Sequence, residues 1–256
     1  AAIGVMRLVE AGKLDLDAGI EHWLQEFQPR VADGRPARIS ARQLLSHTAG
    51  LGYRFFLSFS DGPYARAGVS DGMDASGISL QENLGRIARV PLLYQPGSAW
   101  GYSLATDVLG ALIERIHGTP LQQAVDQLVT GPLGMTDTGF VAHESQRVAS
   151  AYVSDAPQPH LLSEGEIVSP FDGAIGITYS PARIFDAHAF PSAGAGMAGT
   201  ADDLLRLLET LRIGGNGLLP AELVAEMGRD QPNGLELPSA PGFGFGLGFS
   251  VLRDPA

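Results

Sequence analysis

The chain has 256 residues, is 45% hydrophobic, and carries 17 Lys and Arg against 28 Asp and Glu, a formal charge of −11. That is enough apolar chain for a sizeable core, and a charge of this sign repels phosphate backbones and anionic lipid, so nucleic acid is excluded as an expected partner. Without a single cysteine there can be no disulfide, thiolate metal site or cysteine nucleophile, and no apolar run approaches the roughly 20 residues of a membrane span.

Ile3, Met6 and Val9 recur at helical spacing and read as the tail of a helix, closed by Gly12 in the left-handed position. Asp17 stands where it can cap a second helix, in which Ile20, Trp23, Leu24 and Phe27 form one face before Pro29 and His22 is solvated. Asp33-Gly34 is a turn, and Ser40 with Gln43 forms a capping box for a short helix bearing Leu44 and Leu45. His47 follows, a candidate general base on its local sequence alone. From Tyr53 to Ser79 no periodicity is visible, and the stretch reads as a long loop of the kind that walls binding sites. Ser79 with Glu82 then forms a second capping box, opening a helix that carries Leu80, Leu84 and Ile87 and is halted by Pro91.

The segment Tyr94 to Leu104 is the centre of the reading. Pro96-Gly97 makes a turn, Trp100 and Tyr102 flank Gly101, and Ser103 is placed to cap a helix whose Leu104, Val108, Leu109, Leu112, Ile113 and Ile116 recur at helical spacing. Tyr102 is thereby held at a helix entrance, beside N–H donors, where a phenol can do acid/base work; the competing reading is a half-buried aromatic that only packs. Thr119-Pro120 starts another helix with Leu121, Val125 and Leu128 on one side. Residues 142–191 are rich in Ser, Gly, Pro and His, with short β-like pieces such as Ala174 to Tyr179, and His143, His160 and His188 are too scattered for a metal site. Ser192 to Met197 is a Gly-rich connection into a helix capped by Thr200, with Leu204, Leu205, Leu208 and Leu211 expected inward. Finally Phe243, Phe245, Leu247 and Phe249 alternate with glycines as a period-2 strand with a bare face.

Three spaced motifs carry a resemblance. Leu44-Leu45-Ser46-His47-Thr48-Ala49-Gly50-Leu51, Pro96-Gly97 leading to Tyr102-Ser103, and Leu133-Gly134-Met135 closely resemble the serine β-lactamase-like hydrolases: class C β-lactamases, D,D-peptidases and family VIII carboxylesterases. The similarity runs from Met6-Arg7-Leu8 to Gly246-Leu247-Gly248-Phe249, nearly the whole chain. It implies an α+β fold, a helical domain packed on an antiparallel sheet with flanking helices. Residues 1–256 would be a single catalytic unit cut at both ends, with a helical subdomain over approximately 30–190 and α/β parts over approximately 1–29 and 191–256.

The resemblance makes Tyr102 the catalytic tyrosine of a Tyr-x-Asn motif, working beside a Ser-x-x-Lys nucleophile. Trp100, Ser103, Leu104, Asp107, Tyr53, Gly194 and Gly196 are then expected to bind substrate or support the site, and His47 belongs to a structural segment behind it. Leu104 stands where lactamases carry Asn, which looks like the esterase branch. The expected reaction is hydrolysis of small-molecule carboxylic esters through an acyl-serine, with no cofactor and no metal. Lys13 is the only lysine and Glu10 lies three places before it, so no Ser-x-x-Lys occurs. The resemblance puts the serine and lysine just upstream of Ala1, and the third motif soon after Ala256. Alternatives are a β-lactamase or D,D-peptidase of the same fold, or a non-catalytic binding or scaffold protein that keeps it. Gly101-Tyr102-Ser103-Leu104-Ala105 is also a near miss of the Gly-x-Ser-x-Gly elbow, with Asp186 and His188 as conceivable partners, but a turn precedes it where the elbow needs a strand. No signal peptide is visible, and a cytoplasmic location is the expectation.

Overall fold

The computed structural model describes residues 1–56, 62–232, 234, 235, 237, 238 and 240–253. Helix α1 (Ala2–Glu10) buries Ile3, Val5, Met6 and Leu8, and the chain turns out of it at Gly12, φ 66°. The helix expected from Asp17 does not form. Ile20–His22 is one 3₁₀ turn, and Asp17 is the ion-pair partner of Arg42 rather than a cap. The apolar spacing is met without a helix because Ile20, Leu24 and Phe27 all turn inward, while a bridge between Gly19 and Ser40 holds the chain extended where a first turn would begin. His22 is solvent-exposed, as its position on the pattern implies.

At α2 (Ala41–Leu45) both halves of the Ser40–Gln43 capping box are present. The stretch expected to be loop contains a 3₁₀ turn at Arg54–Phe56 and a short α3 (Pro63–Arg66); its residues 57–61 lie outside the described residues. Helix α4 (Leu80–Ala88) is capped by Ser79, whose Oγ accepts from Glu82 N–H, but the Glu82 carboxylate pairs with Arg86 instead of closing the box. Helix α5 (Ala105–His117) is the hub. It buries Val108, Leu109, Leu112 and Ile113 against α1, α2, α4 and α6 (Leu121–Val125), and it stops at a left-handed Gly118.

Two antiparallel ribbons follow, β1 (Tyr152–Val153) with β2 (His160–Leu161), and β3 (Ile167–Val168) with β4 (Ile177–Thr178), which sets Ile167 opposite Thr178. Helix α7 (Ala201–Arg212) is capped by Thr200 as expected, yet it turns a different face inward. Leu204, Leu205 and Leu208 are exposed, whereas Asp203 and Thr210 are buried. The cause is polar: the Asp203 carboxylate accepts from Asp137 N–H and Thr138 Oγ, which rolls the helix onto its 203, 207, 210 stripe. Helix α8 (Ala221–Met227) leads to β5 (Phe243–Phe245), which pairs with β6 (Ser250–Leu252). The expected strand is therefore only three residues long, because Gly246 and Leu247 leave the ladder to meet Phe249 and Met227. Its bare face is real: a Cβ on Gly246 would lie 2.0 Å from the Met227 carbonyl oxygen. Among the described residues the named strands pair two by two beside a helical body, an α+β arrangement.

Candidate active site

The segment after α2 is the platform of the site. His47 adopts φ 55°, a left-handed conformation unusual for a side-chain-bearing residue, and this turns the following carbonyls toward the loop before α5. Gly101 N–H donates to the His47 carbonyl at 3.0 Å, Gly97 N–H to that of Thr48 at 2.7 Å, and Leu93 N–H to that of Gly50 at 2.8 Å. Gly50, φ 84°, must be glycine, since a Cβ there would lie 2.4 Å from the Tyr94 carbonyl oxygen. Two distant pieces of chain are thus laced together by backbone, and Tyr102 emerges at their edge.

Tyr102 is 45% exposed, with its ring 4.7 Å from that of His47 and 5.4 Å from that of Tyr53. Behind it the side chains are buried. Ser103 is not the helix cap: α5 begins after Leu104 without a side-chain cap, and the buried Ser103 Oγ lies 3.2 Å from His47 Nδ1. A histidine 56 positions away outcompetes the local N–H groups. Burial pushes the His47 imidazole down to about 4, so it is neutral at pH 7, enclosed by Tyr102, Trp100 and Phe245. This is the supporting rather than the basic reading of His47. Leu104 is fully buried, which places it behind the surface rather than on it. Trp100 is half-buried, 5.6 Å from Phe245 between ring centres, and its indole N–H has no hydrogen-bond partner.

Asp107, in the first turn of α5, is enclosed. Its Oδ1 receives a long 3.5 Å contact from Gly194 N–H, and Oδ2 has no partner of hydrogen-bonding geometry. Burial pushes the carboxyl up to about 6, although the Ser192 hydroxyl and the Gly194 and Ala193 N–H groups pull the other way. Tyr53 sits above it, and burial followed by the proximity of Tyr102, Asp107 and Asp71 drives its phenol strongly upward. Gly194 borders both groups: a Cβ there would make van der Waals contact with Asp107 Oδ2 at 3.4 Å and with the Tyr53 hydroxyl at 3.6 Å. Gly196 is tighter still, 2.9 Å from the Ser192 backbone. Tyr102, Trp100, Ser103, Leu104, Asp107, Tyr53 and Gly194 are therefore brought together, with Gly196 closing the adjoining turn.

Two participants escaped the sequence reading. Asp71 is buried, accepts from Arg54 N–H at 3.2 Å, and is pushed up to about 6 by that burial. Ser192 is fully buried, and its Oγ accepts from Ala195 N–H at 3.1 Å. Asp71-Gly72 reads locally as a turn and Ser192 as a linker residue, so no local signal distinguishes them. The elbow alternative is not formed: residues 95–103 contain no strand, and His188 meets Asp186 only by donating its own N–H, at 2.8 Å, in an exposed turn. Among the described residues no group of three or more His, Asp or Glu is placed to hold a metal, and no helix is long and apolar enough to cross a membrane.

The profile of the family described as Beta-lactamase matches residues 1–255. The chain is 46% identical over 256 residues to Esterase EstB of Burkholderia gladioli, covering 100% of this chain and 65% of that protein. It is 30% identical over 152 residues to Monacolin J acid methylbutanoyltransferase of Aspergillus terreus, covering 54% of this chain and 35% of that one. Among solved structures it is similar to EstCE1, a hydrolase with promiscuous acyltransferase activity, with a TM-score of 0.94 and 42% identity over 99% of this chain and 66% of that one. The chain thus spans just under two thirds of the length of Esterase EstB and of EstCE1.

Proposed function

The chain belongs to the Beta-lactamase family, and on that premise we propose that the complete protein is a serine hydrolase of carboxylic esters in which Tyr102 handles the proton. The observation that carries this reading is the setting of Tyr102: an exposed phenol on a backbone-laced loop, with the buried side chains of His47, Ser103, Tyr53 and Asp107 behind it. A packing aromatic needs no such rigidity, whereas a proton-transfer group must be held to a fraction of an ångström. The likeness to Esterase EstB supports the substrate class.

The serine and lysine of the reaction come from outside these 256 residues, which contain no Ser-x-x-Lys. The serine oxygen bonds to the ester carbonyl carbon as its proton passes to the lysine–Tyr102 pair. When the tetrahedral adduct collapses, the carbon–alkoxide bond breaks and that proton goes to the departing alcohol. Water then repeats the sequence on the acyl-serine, giving the acid and free serine. Ester rather than lactam cleavage is supported by Leu104, buried at the position where an Asn amide would be needed. Trp100, Gly194 and Gly196 shape the rim, and Tyr53, Ser103, Leu104 and Asp107 support it from behind. The helical part spans approximately 30–190, with α/β parts on either side.

Side-by-side hydrolysis of p-nitrophenyl butyrate and a chromogenic cephalosporin by the complete protein tests this. The ester is expected to be cleaved with much the higher kcat/KM. A large preference for the cephalosporin points to the lactamase reading, and cleavage of neither points to the scaffold reading.

A further inference from the structure

A cavity of about 610 Å³ lies beyond the Ser192–Gly196 turn from Tyr102, outside the cluster of side chains described above. Its walls are more apolar than polar: Phe140, Leu162, Ile184, Phe185, Phe190 and Met197 line it, with Ser145, Ser150, Ser180 and Arg183 among them. The volume falls within the range of small-molecule sites, roughly 300–1,000 Å³. Gly72 and Gly196 line its end nearest the site. The other side of the same turn faces the tyrosines, because the Cβ position of Gly194 is 3.6 Å from the Tyr53 hydroxyl, and the Tyr53 ring is 5.4 Å from that of Tyr102. Gly194 and Ala195 are exposed, so the turn is a surface ridge between the tyrosines and the cavity, and over Gly194–Gly196 the ridge carries one methyl group.

The cavity is held open by a clamp. The Arg183 guanidinium lies 4.6 Å over the Phe190 ring and donates to the carbonyls of Phe190 and of Asp74, the latter at 3.1 Å. This ties the 181–190 segment to the 70–74 segment on the far side, so the walls are preformed. A preformed, mostly apolar hollow that meets a reactive group across that ridge suits one kind of occupant. We propose that this cavity receives an extended apolar arm of the ester, of medium chain length, and sets the chain-length preference of the reaction. The assignment rests on the esterase reading for its substrate, but not for its binding chemistry. Each methylene moved from water into such a cavity is worth about fourfold in binding at the usual transfer value.

The test uses the complete protein and two cavity-filling variants, Ala189→Trp and Ala149→Trp, both in the cavity lining. Binding is read first, without chemistry, by titration calorimetry with 1-octanol. Octanol is expected to bind saturably and to lose at least about tenfold in affinity in at least one variant. Hydrolysis is then compared for p-nitrophenyl octanoate against acetate, and for octyl against methyl butyrate. In one of these two series the long-to-short ratio of kcat/KM should fall at least about tenfold in the same variant; the acyl series places the acyl arm in the cavity, and the alcohol series the alcohol arm. Octanol affinity and both ratios unchanged in two folded variants overturn the assignment. A protein that cleaves no ester, yet loses octanol binding on filling, overturns the esterase reading while the cavity remains an apolar ligand site.

Discussion

His47 Nδ1 and Ser103 Oγ lie 3.2 Å apart, sealed beneath Tyr102 at 5% and 1% exposure. An imidazole pushed down to about 4 by burial is depressed relative to the unfolded chain. Its contribution to stability is therefore complete above about pH 6.5 and is lost as pH falls toward 4, amounting to about 3 kcal/mol. His47→Asn tolerates the left-handed backbone and can still meet Ser103, but it does not titrate. The melting temperature of the wild type should fall, relative to this variant, between pH 6.5 and 4. Parallel melting curves across that window would show that His47 titrates alike in the folded and unfolded chains, so that burial does not depress it.

Asp107 has the opposite sign. Burial holds its folded pKa above the unfolded value, so the stabilisation belongs to the protonated acid, is complete below about pH 4, and is lost as pH rises through about 6. At pH 7.5 the carboxylate with its unpartnered Oδ2 is a liability of up to about 3 kcal/mol. Asp107→Asn should melt no lower than wild type at that pH, with the difference in its favour growing from pH 4 upward, while ester turnover by the complete protein drops. A lower melting point at pH 7.5 with unchanged turnover per folded molecule would make Asp107 an ordinary structural carboxylate. A group kept against stability is most simply explained by the site it supports.

Tyr102→Phe preserves the ring contacts with His47 and Tyr53 and removes only the hydroxyl. General acid/base groups contribute on the order of 10²–10⁴ in rate, about 3–5 kcal/mol of barrier. Turnover of p-nitrophenyl butyrate by the complete protein should fall at least about a hundredfold, with little change in KM. A loss of only a few-fold, with circular dichroism intact, would assign the proton to another group.

Gly72 lines the cavity and packs against Ser192. It has φ 83°, and a Cβ there would stand 2.3 Å from Ser192 Oγ. Gly72→Ala combines left-handed strain with that clash and should destabilise by at least about 2 kcal/mol, lowering the melting temperature by about 4–8 °C. Gly77→Ala, also left-handed at φ 67° but with nothing within 4 Å, separates the two contributions by losing only the strain. Equal losses in the two variants would mean that Ser192 simply moves aside.

Rules that act within one turn of chain were legible in the sequence. Ser40, Ser79 and Thr200 cap the helices they precede, and Gly12 ends the first one, because each needs only a backbone N–H or a dihedral angle a few residues away. Tyr102 at the mouth of α5 was legible for the same reason. What residues far apart compete for was not. Ser103 could cap locally but is taken by His47, 56 residues distant, and α7 offers two stripes at helical spacing of which the docking of Asp203 on Asp137 and Thr138 selects the less apolar. The burial of Asp71 and Asp107 around Tyr53, which raises both carboxyls and the phenol, likewise exists only once three segments close over one another. Periodicity states which side chains share a face, but the free energy that chooses the face, and the dielectric that shifts the charges, belong to the packed chain.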